Sequence, residues 1–171
     1  SVMSVVLIRA DGSHRIGFGH IMRCIALAEG LRDLGFTPLF MVRDYGRVAS
    51  EKIRGRNFWV EGFPEEWTSE QDLEYTLKRV RRHRARHVVT DLYPVPQNAP
   101  RVSAGTDVLN LPEGQHPKAT DASPWYGVYH ADILEEPDSH RRYVERLRQS
   151  GVFLMTIVDF NDGMFPADVV L

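Results

Sequence analysis

The residues best suited to chemistry lie in a glycine-rich stretch near the start of the chain, residues 9–24, which reads RADGSHRIGFGHIMRC. Gly17 and Gly19 permit positive φ angles and a close approach of a ligand to the backbone. His20 follows at the predicted start of a helix, whose unpaired N–H groups and dipole favour an anion. Because this positive helix end disfavours imidazolium, the neutral ring of His20 is favoured and is suited to accept a proton from water or a hydroxyl group.

The same motif also has a purely structural interpretation. The glycines then form only a tight turn, and His20 satisfies a backbone carbonyl. Two familiar cofactor sites do not fit: Met22 stands where a dinucleotide fingerprint has its third glycine, and the Gly-Lys-Ser/Thr of a P-loop is absent. The seven histidines include no His-Glu-x-x-His motif of a helical zinc site. We therefore predict no cofactor and no metal.

Short apolar segments alternate with amphipathic ones along the chain, and this alternation predicts the elements that position the motif. Predicted helices are residues 20–34, 48–54, 139–149 and about four turns after a capping box of Thr68 and Gln71. Predicted strands are residues 4–9, 39–42, 58–60, 87–92, 152–159 and a last one beginning at 167, with 152–159 expected to be central. The pattern indicates an α/β fold with a Rossmann-like, doubly wound, mostly parallel sheet. Such sheets bind ligands beyond the carboxyl ends of their strands, where residues 10–19 would lie.

Charge and cysteine content exclude several classes of partner. With 21 basic and 23 acidic side chains the net charge is −2, which gives no general reason to expect a nucleic acid or an acidic membrane as partner. The basic run at residues 78–87, KRVRRHRARH, lacks the aromatic residues that stack on bases and is predicted to be solvated. One cysteine and no apolar segment long enough for a membrane span favour a cytoplasmic protein.

Domain organisation is predicted to be simple. We expect residues 1–171 to form a single domain with an irregular, proline-rich excursion at about residues 94–137, where only residues 107–111 resemble a strand. Trp125, Tyr126 and Tyr129 in this excursion either stack on a sugar ring or anchor the segment to the core. The last residues, ADVVL, read as the beginning of a strand, so we expect the chain to continue beyond Leu171.

Residues 8–35, IRADGSHRIGFGHIMRCIALAEGLRDLG, resemble the amino-terminal signature of the PseG/SpsG group of sugar-nucleotide hydrolases, which act in pseudaminic acid and spore coat polysaccharide biosynthesis. Two weaker matches follow: VVTDLY resembles the family's strand ending in Asp-x-Tyr, and TIVDFND with ADVVL resembles two later segments. The resemblance implies the amino-terminal half of a GT-B architecture, in which the active site lies between two Rossmann-like domains. The carboxyl-terminal nucleotide-binding domain is then expected in cis or in trans.

The resemblance also implies roles for individual residues. His20 corresponds to the histidine that activates water for attack on the sugar anomeric carbon, with release of UDP from a UDP-sugar substrate. The expected substrate-binding residues are Asp11, Gly17, Phe18, Gly19, Arg23, Asp91 and Tyr93. Two alternatives remain open: a glycosyltransferase-type acceptor-binding domain, and a non-catalytic module that binds a sugar or a protein partner.

Overall fold

A computed structural model of the chain describes residues 4–12, 18–43, 47–64, 67–92, 137–157 and 167–170. The chain divides into two units, Ser1–Tyr93 with Asp138–Leu171, and Pro94–Pro137. Apart from Pro137, the second unit lies outside the described residues, and with it the predicted strand at 107–111 and the aromatic residues of the excursion. The first unit carries the elements that follow.

The first unit contains a parallel sheet whose described strands are β1 (Val5–Ala10), β2 (Thr37–Arg43), β3 (Trp59–Phe63), β4 (His87–Asp91), β5 (Phe153–Thr156) and β6 (Val169–Val170). Their order is β3-β2-β1-β4-β5-β6, and each neighbouring pair is parallel. The predicted Rossmann-like α/β fold is confirmed. Because the chain moves from β1 to one side of the sheet and returns with β4 on the other, the topological switch point lies between β1 and β4.

Helices cover both faces of this sheet. They are α1 (Gly19–Asp33), α2 (Val48–Arg54), α3 (Ser69–His83) and α4 (Pro137–Gln149). Alternate residues of β1 point to opposite faces, so Ile8 joins a core cluster with α1 and α2, whereas Leu7 joins one with α3 and α4. The fold is therefore doubly wound, with the sheet buried between two apolar layers.

The local sequence signals explain where the helices begin and end. Thr68 accepts a hydrogen bond from the Gln71 backbone N–H, and the Gln71 side chain accepts one from the Thr68 N–H, so the predicted capping box starts α3. Gly35 ends α1 with a φ of 87°. The helix ends at Asp33, one residue before the predicted end, and Leu34 is 77% exposed.

Strand β5 is shorter and nearer the edge than the sequence indicates. Residues 152–159 form the longest apolar run, yet the strand spans only Phe153–Thr156 and is fifth in the sheet order. Its far neighbour β6 has two residues, so Phe153 is 49% exposed. The two central positions belong to β1 and β4, because a parallel strand's place is set by crossover connections rather than by its own hydrophobicity.

Candidate active site

Asp91 is the centre of a polar cluster at the carboxyl end of β4. Its side chain is fully buried, and its residue pairs in register with Ala10 at the end of β1. The cluster therefore lies at the topological switch point, where open parallel sheets bind ligands. Two of its members, His20 and Arg23, come from the first turns of α1.

His20 is held against Asp91 by a short hydrogen bond. Phe18 is the N-cap of α1, so His20 is the second helical residue, as predicted. Its Nδ1 lies 2.6 Å from Oδ1 of Asp91, and the ring is largely buried, with 11% of the side chain exposed. An ionised carboxylate can only accept, so Nδ1 carries the proton and the lone pair of a neutral ring lies on Nε2.

Arg23 binds the same carboxylate from one turn further along α1. Its Nε lies 2.5 Å from Oδ2 of Asp91, and its Nη2 lies 2.6 Å from Oδ1. Nη2 is also 3.0 Å from Nδ1 of His20, so two N–H donors converge on one carboxylate oxygen. The Arg23 side chain is 37% exposed, in contrast to the buried carboxylate that it contacts.

The electrostatics of the cluster keep Asp91 ionised. Burial raises the pKa of the Asp91 carboxyl, but hydrogen bonds from Arg23 and His20 outweigh it and hold the pKa below its usual value. The thiol of Cys24 donates to Oδ2 of Asp91 over 3.6 Å. Burial raises the pKa of this thiol, and the neighbouring carboxylate raises it further, so Cys24 stays protonated and is not a nucleophile.

His140 on α4 is a second histidine in the field of Asp91. Burial lowers the pKa of its ring to about 4, while the Asp91 carboxylate acts in the opposite direction. The ring is therefore neutral near pH 7. Sequence reasoning did not select His140, because it follows the irregular segment and has no motif around it.

The structure brings together three of the residues expected at the site, namely His20, Arg23 and Asp91. Phe18 lies beside them as the N-cap, with Nζ of Lys52 5.1 Å from the centre of its ring. Gly17 and Tyr93 lie outside the described residues.

The structure also gives the backbone geometry of Gly19 and the partners of Asp11, two residues of the glycine-rich stretch that are expected to bind substrate. Gly19 is the first residue of α1 and does not have a positive φ, so its backbone does not require glycine. Asp11 follows β1, but both oxygens of its carboxylate bind Arg9, at 2.6 and 3.1 Å, and Oδ1 also accepts from the Arg43 backbone N–H. In this arrangement the Asp11 carboxylate is part of a separate buried network with Arg9 and Arg43.

That second network is a buried group of charges between the sheet and α3. Arg9 joins Asp11 to Asp72, whose Oδ2 lies 2.6 Å from Nη2 of Arg9. Arg43 and the hydroxyl of Tyr143 also donate to Asp72, over 3.1 and 2.8 Å. Burial raises the pKa of Asp72, but the two arginines more than offset this and lower it. In the sequence, the signal for this buried network is the alternation of β1, which places Arg9 at an inward position of a buried strand.

The described residues contain no group of three or more histidine, cysteine, aspartate or glutamate side chains arranged to hold a metal ion. In the same part of the chain, no helix has both the length and the apolar character needed to cross a membrane.

Comparison with solved structures identifies the fold class. A glycosyltransferase from Rickettsia africae matches 92% of this chain with a TM-score of 0.51 and 10% identity, and Acinetobacter baumannii MurG matches 98% with a TM-score of 0.54 and 10% identity. The chain covers 30% and 40% of those two chains. No protein-family model and no curated protein matches. The chain therefore has the Rossmann-like fold of GT-B glycosyltransferases, and the resemblance to the PseG/SpsG group remains a hypothesis.

Proposed function

We propose that this chain is a nucleotide-sugar-processing domain of the glycosyltransferase type, in which His20 is the general base. Nε2 of His20 takes the proton from the hydroxyl group that attacks the anomeric carbon of the sugar. The carboxylate of Asp91 fixes the ring and stabilises the positive charge that develops on it during proton transfer. The observation that carries this proposal is the 2.6 Å contact between Nδ1 of His20 and Oδ1 of Asp91 at the switch point.

The surroundings of the cluster fit a substrate with a negatively charged leaving group. The amino terminus of α1 adds its dipole to the charge of Arg23, and both favour a phosphate group. Because the chain spans less than half of the glycosyltransferases that it matches, we further propose that a second domain supplies most of the nucleotide contacts. UDP is the nucleotide we expect, from the resemblance of residues 8–35.

Hydrolysis is the second candidate, and it uses the same machinery with water in place of an acceptor hydroxyl. It is favoured by the resemblance of residues 8–35 to sugar-nucleotide hydrolases, whereas the structural matches favour transfer to an acceptor. A third possibility, a non-catalytic binding module, gives no role to the proton-accepting pair of His20 and Asp91.

The first prediction is that His20→Gln in the full-length protein lowers kcat by roughly 10²–10⁴-fold, the usual contribution of a general base. Release of UDP from UDP-sugars would be measured with and without candidate acceptor sugars. Release that depends on an acceptor indicates transfer, and release into water alone indicates hydrolysis. His83→Gln is the matched control, because His83 lies on α3 near Glu61 rather than near Asp91. Unchanged turnover in His20→Gln would refute the base assignment, whereas a wild-type protein without turnover would leave the binding module.

A further inference from the structure

Arg23 and His20 share one oxygen of Asp91, and this sharing limits what the carboxylate can do for the ring. Oδ1 lies 2.6 Å from both Nδ1 of His20 and Nη2 of Arg23. A hydrogen bond to an oxygen that already accepts from a guanidinium is weakened, because the arginine neutralises much of the charge. A cation 3.0 Å from Nδ1 also opposes any positive charge that develops on the imidazole.

Arg23 differs from its two partners in accessibility. More than a third of its side chain is exposed, whereas the Asp91 carboxylate is fully buried and His20 is nearly so. A ligand can therefore contact the guanidinium without displacing the buried pair. Arginine also binds phosphate oxygens through two parallel N–H groups, the same geometry in which Arg23 now holds Asp91.

We infer that Arg23 is an anion-responsive positioning residue, which restrains His20 until a phosphate group of the substrate draws the guanidinium away from Asp91. The carboxylate then acts on His20 alone, and the ring becomes a stronger proton acceptor only when substrate is bound. This inference rests on the proposed base role of His20. Its consequence is that the Asp91 carboxylate acts fully on His20 only when a diphosphate group is bound.

The other groups around Asp91 do not provide this response. The thiol of Cys24 keeps its proton, since burial and the carboxylate both raise its pKa. His140 is neutral near pH 7, because burial lowers the pKa of its ring. Arg23 is thus the charged side chain, among the described neighbours of Asp91, whose movement changes the charge felt by His20.

The second prediction tests this inference by proton NMR of the chain, with inorganic diphosphate as the probe. The Nδ1 proton of His20, which donates to Asp91, should move downfield as diphosphate is added, because its hydrogen bond strengthens. In Arg23→Gln the resonance should start downfield and should not respond to diphosphate. Arg54→Gln, which removes an exposed arginine from the end of α2, should behave as wild type. The resonance is assigned by its loss in His20→Gln and its retention in His140→Gln.

Two results would overturn the inference. One is a wild-type resonance that does not move with diphosphate, and the other is an Arg23→Gln resonance that starts and moves as in wild type. Both results come from NMR spectra and do not depend on turnover. The base role of His20 is therefore judged separately, by the kinetics of His20→Gln. Conversely, a loss of the base assignment would not change the expected response of the hydrogen bond.

Discussion

At the scale of single residues, two buried carboxylates behave differently because their partners differ. Asp91 is paired with a part-exposed arginine and a histidine, so a ligand can change its environment. Asp72 is paired with Arg9 and Arg43, whose side chains are almost completely buried. Phe63 lies under the guanidinium of Arg9, 4.6 Å from its ring centre. We interpret the first carboxylate as functional and the second as structural.

The third prediction is that Asp72→Asn destabilises the fold by about 3–5 kcal/mol, because it removes the buried carboxylate that accepts from the guanidinium groups of both Arg9 and Arg43. Urea unfolding followed by circular dichroism would measure the loss. Glu74→Gln is the matched control on the exposed side of α3 and should change stability by less than about 0.5 kcal/mol. Equal stability of the two variants would show that the network contributes little.

At the scale of elements, the start of α1 and the end of β4 form the site together. The glycine-rich stretch contributes to the site through α1, the helix that follows it, since Gly19 itself has ordinary helical geometry. Gly35 at the other end of α1 has the opposite property, because its φ of 87° is one that side chains rarely adopt. The backbone therefore requires glycine at Gly35 but not at Gly19.

The fourth prediction compares these two positions. Gly35→Ala should lower stability by about 1 kcal/mol or more, because alanine is strained at that φ. Gly19→Ala should be neutral or stabilising by up to about 1 kcal/mol, since no atom lies within 4 Å of the added Cβ and alanine favours a helix. Thermal unfolding would measure both. A Gly19→Ala variant that folds well but loses substrate affinity would show that the ligand approaches the backbone there; destabilisation would contradict the geometry.

At the scale of the whole molecule, α4 returns the chain to the sheet after the 94–137 segment. Tyr143, Val144 and Leu147 are buried in the core, and the Tyr143 hydroxyl donates to Asp72. His140 on the same helix is a buried neutral histidine close to Asp91. Because the packing of α4 buries His140 in its neutral form, the stability of the fold depends on pH.

The fifth prediction is a loss of stability between pH 6.5 and pH 4. The pKa of His140 is about 4 in the folded state and 6.5 in a free imidazole, so below pH 6.5 the unfolded chain binds a proton that the folded chain does not. Stability is fully present above pH 6.5 and falls as the pH drops toward 4, by up to about 3 kcal/mol. The lowered pKa values of Asp72 and Asp91 act in a separate window, below their ordinary value of 3.8.

Urea unfolding at pH 7 and pH 4.5 would measure this loss in wild type and in His140→Gln. The variant should lose much less stability between the two pH values, whatever its stability at pH 7. His83→Gln serves as control, because this ring is less buried and lies near Glu61. An unchanged difference between the two pH values in His140→Gln would contradict the assignment.

Periodicity and end signals in the sequence determined most of the helices and strands, because these signals depend only on interactions between residues that are close together in the chain. The apolar stripe of α1, the capping box of α3 and the glycines after α1 and α4 predict those boundaries to within a few residues. The glycine-rich motif likewise indicated His20 at a helix start. These signals depend on residues within one or two turns of each other.

Tertiary structure alone decided which polar side chains meet. His20 and Asp91 are 71 positions apart, and Arg9 and Asp72 are 63 apart, so no local pattern links them. Strand order brought β4 beside β1, and the Asp11 carboxylate binds Arg9 in the folded chain. Hydrogen bonds act only at short range, so these pairings form only in the assembled sheet. A shift of one residue in strand register would move each side chain to the other face and break them.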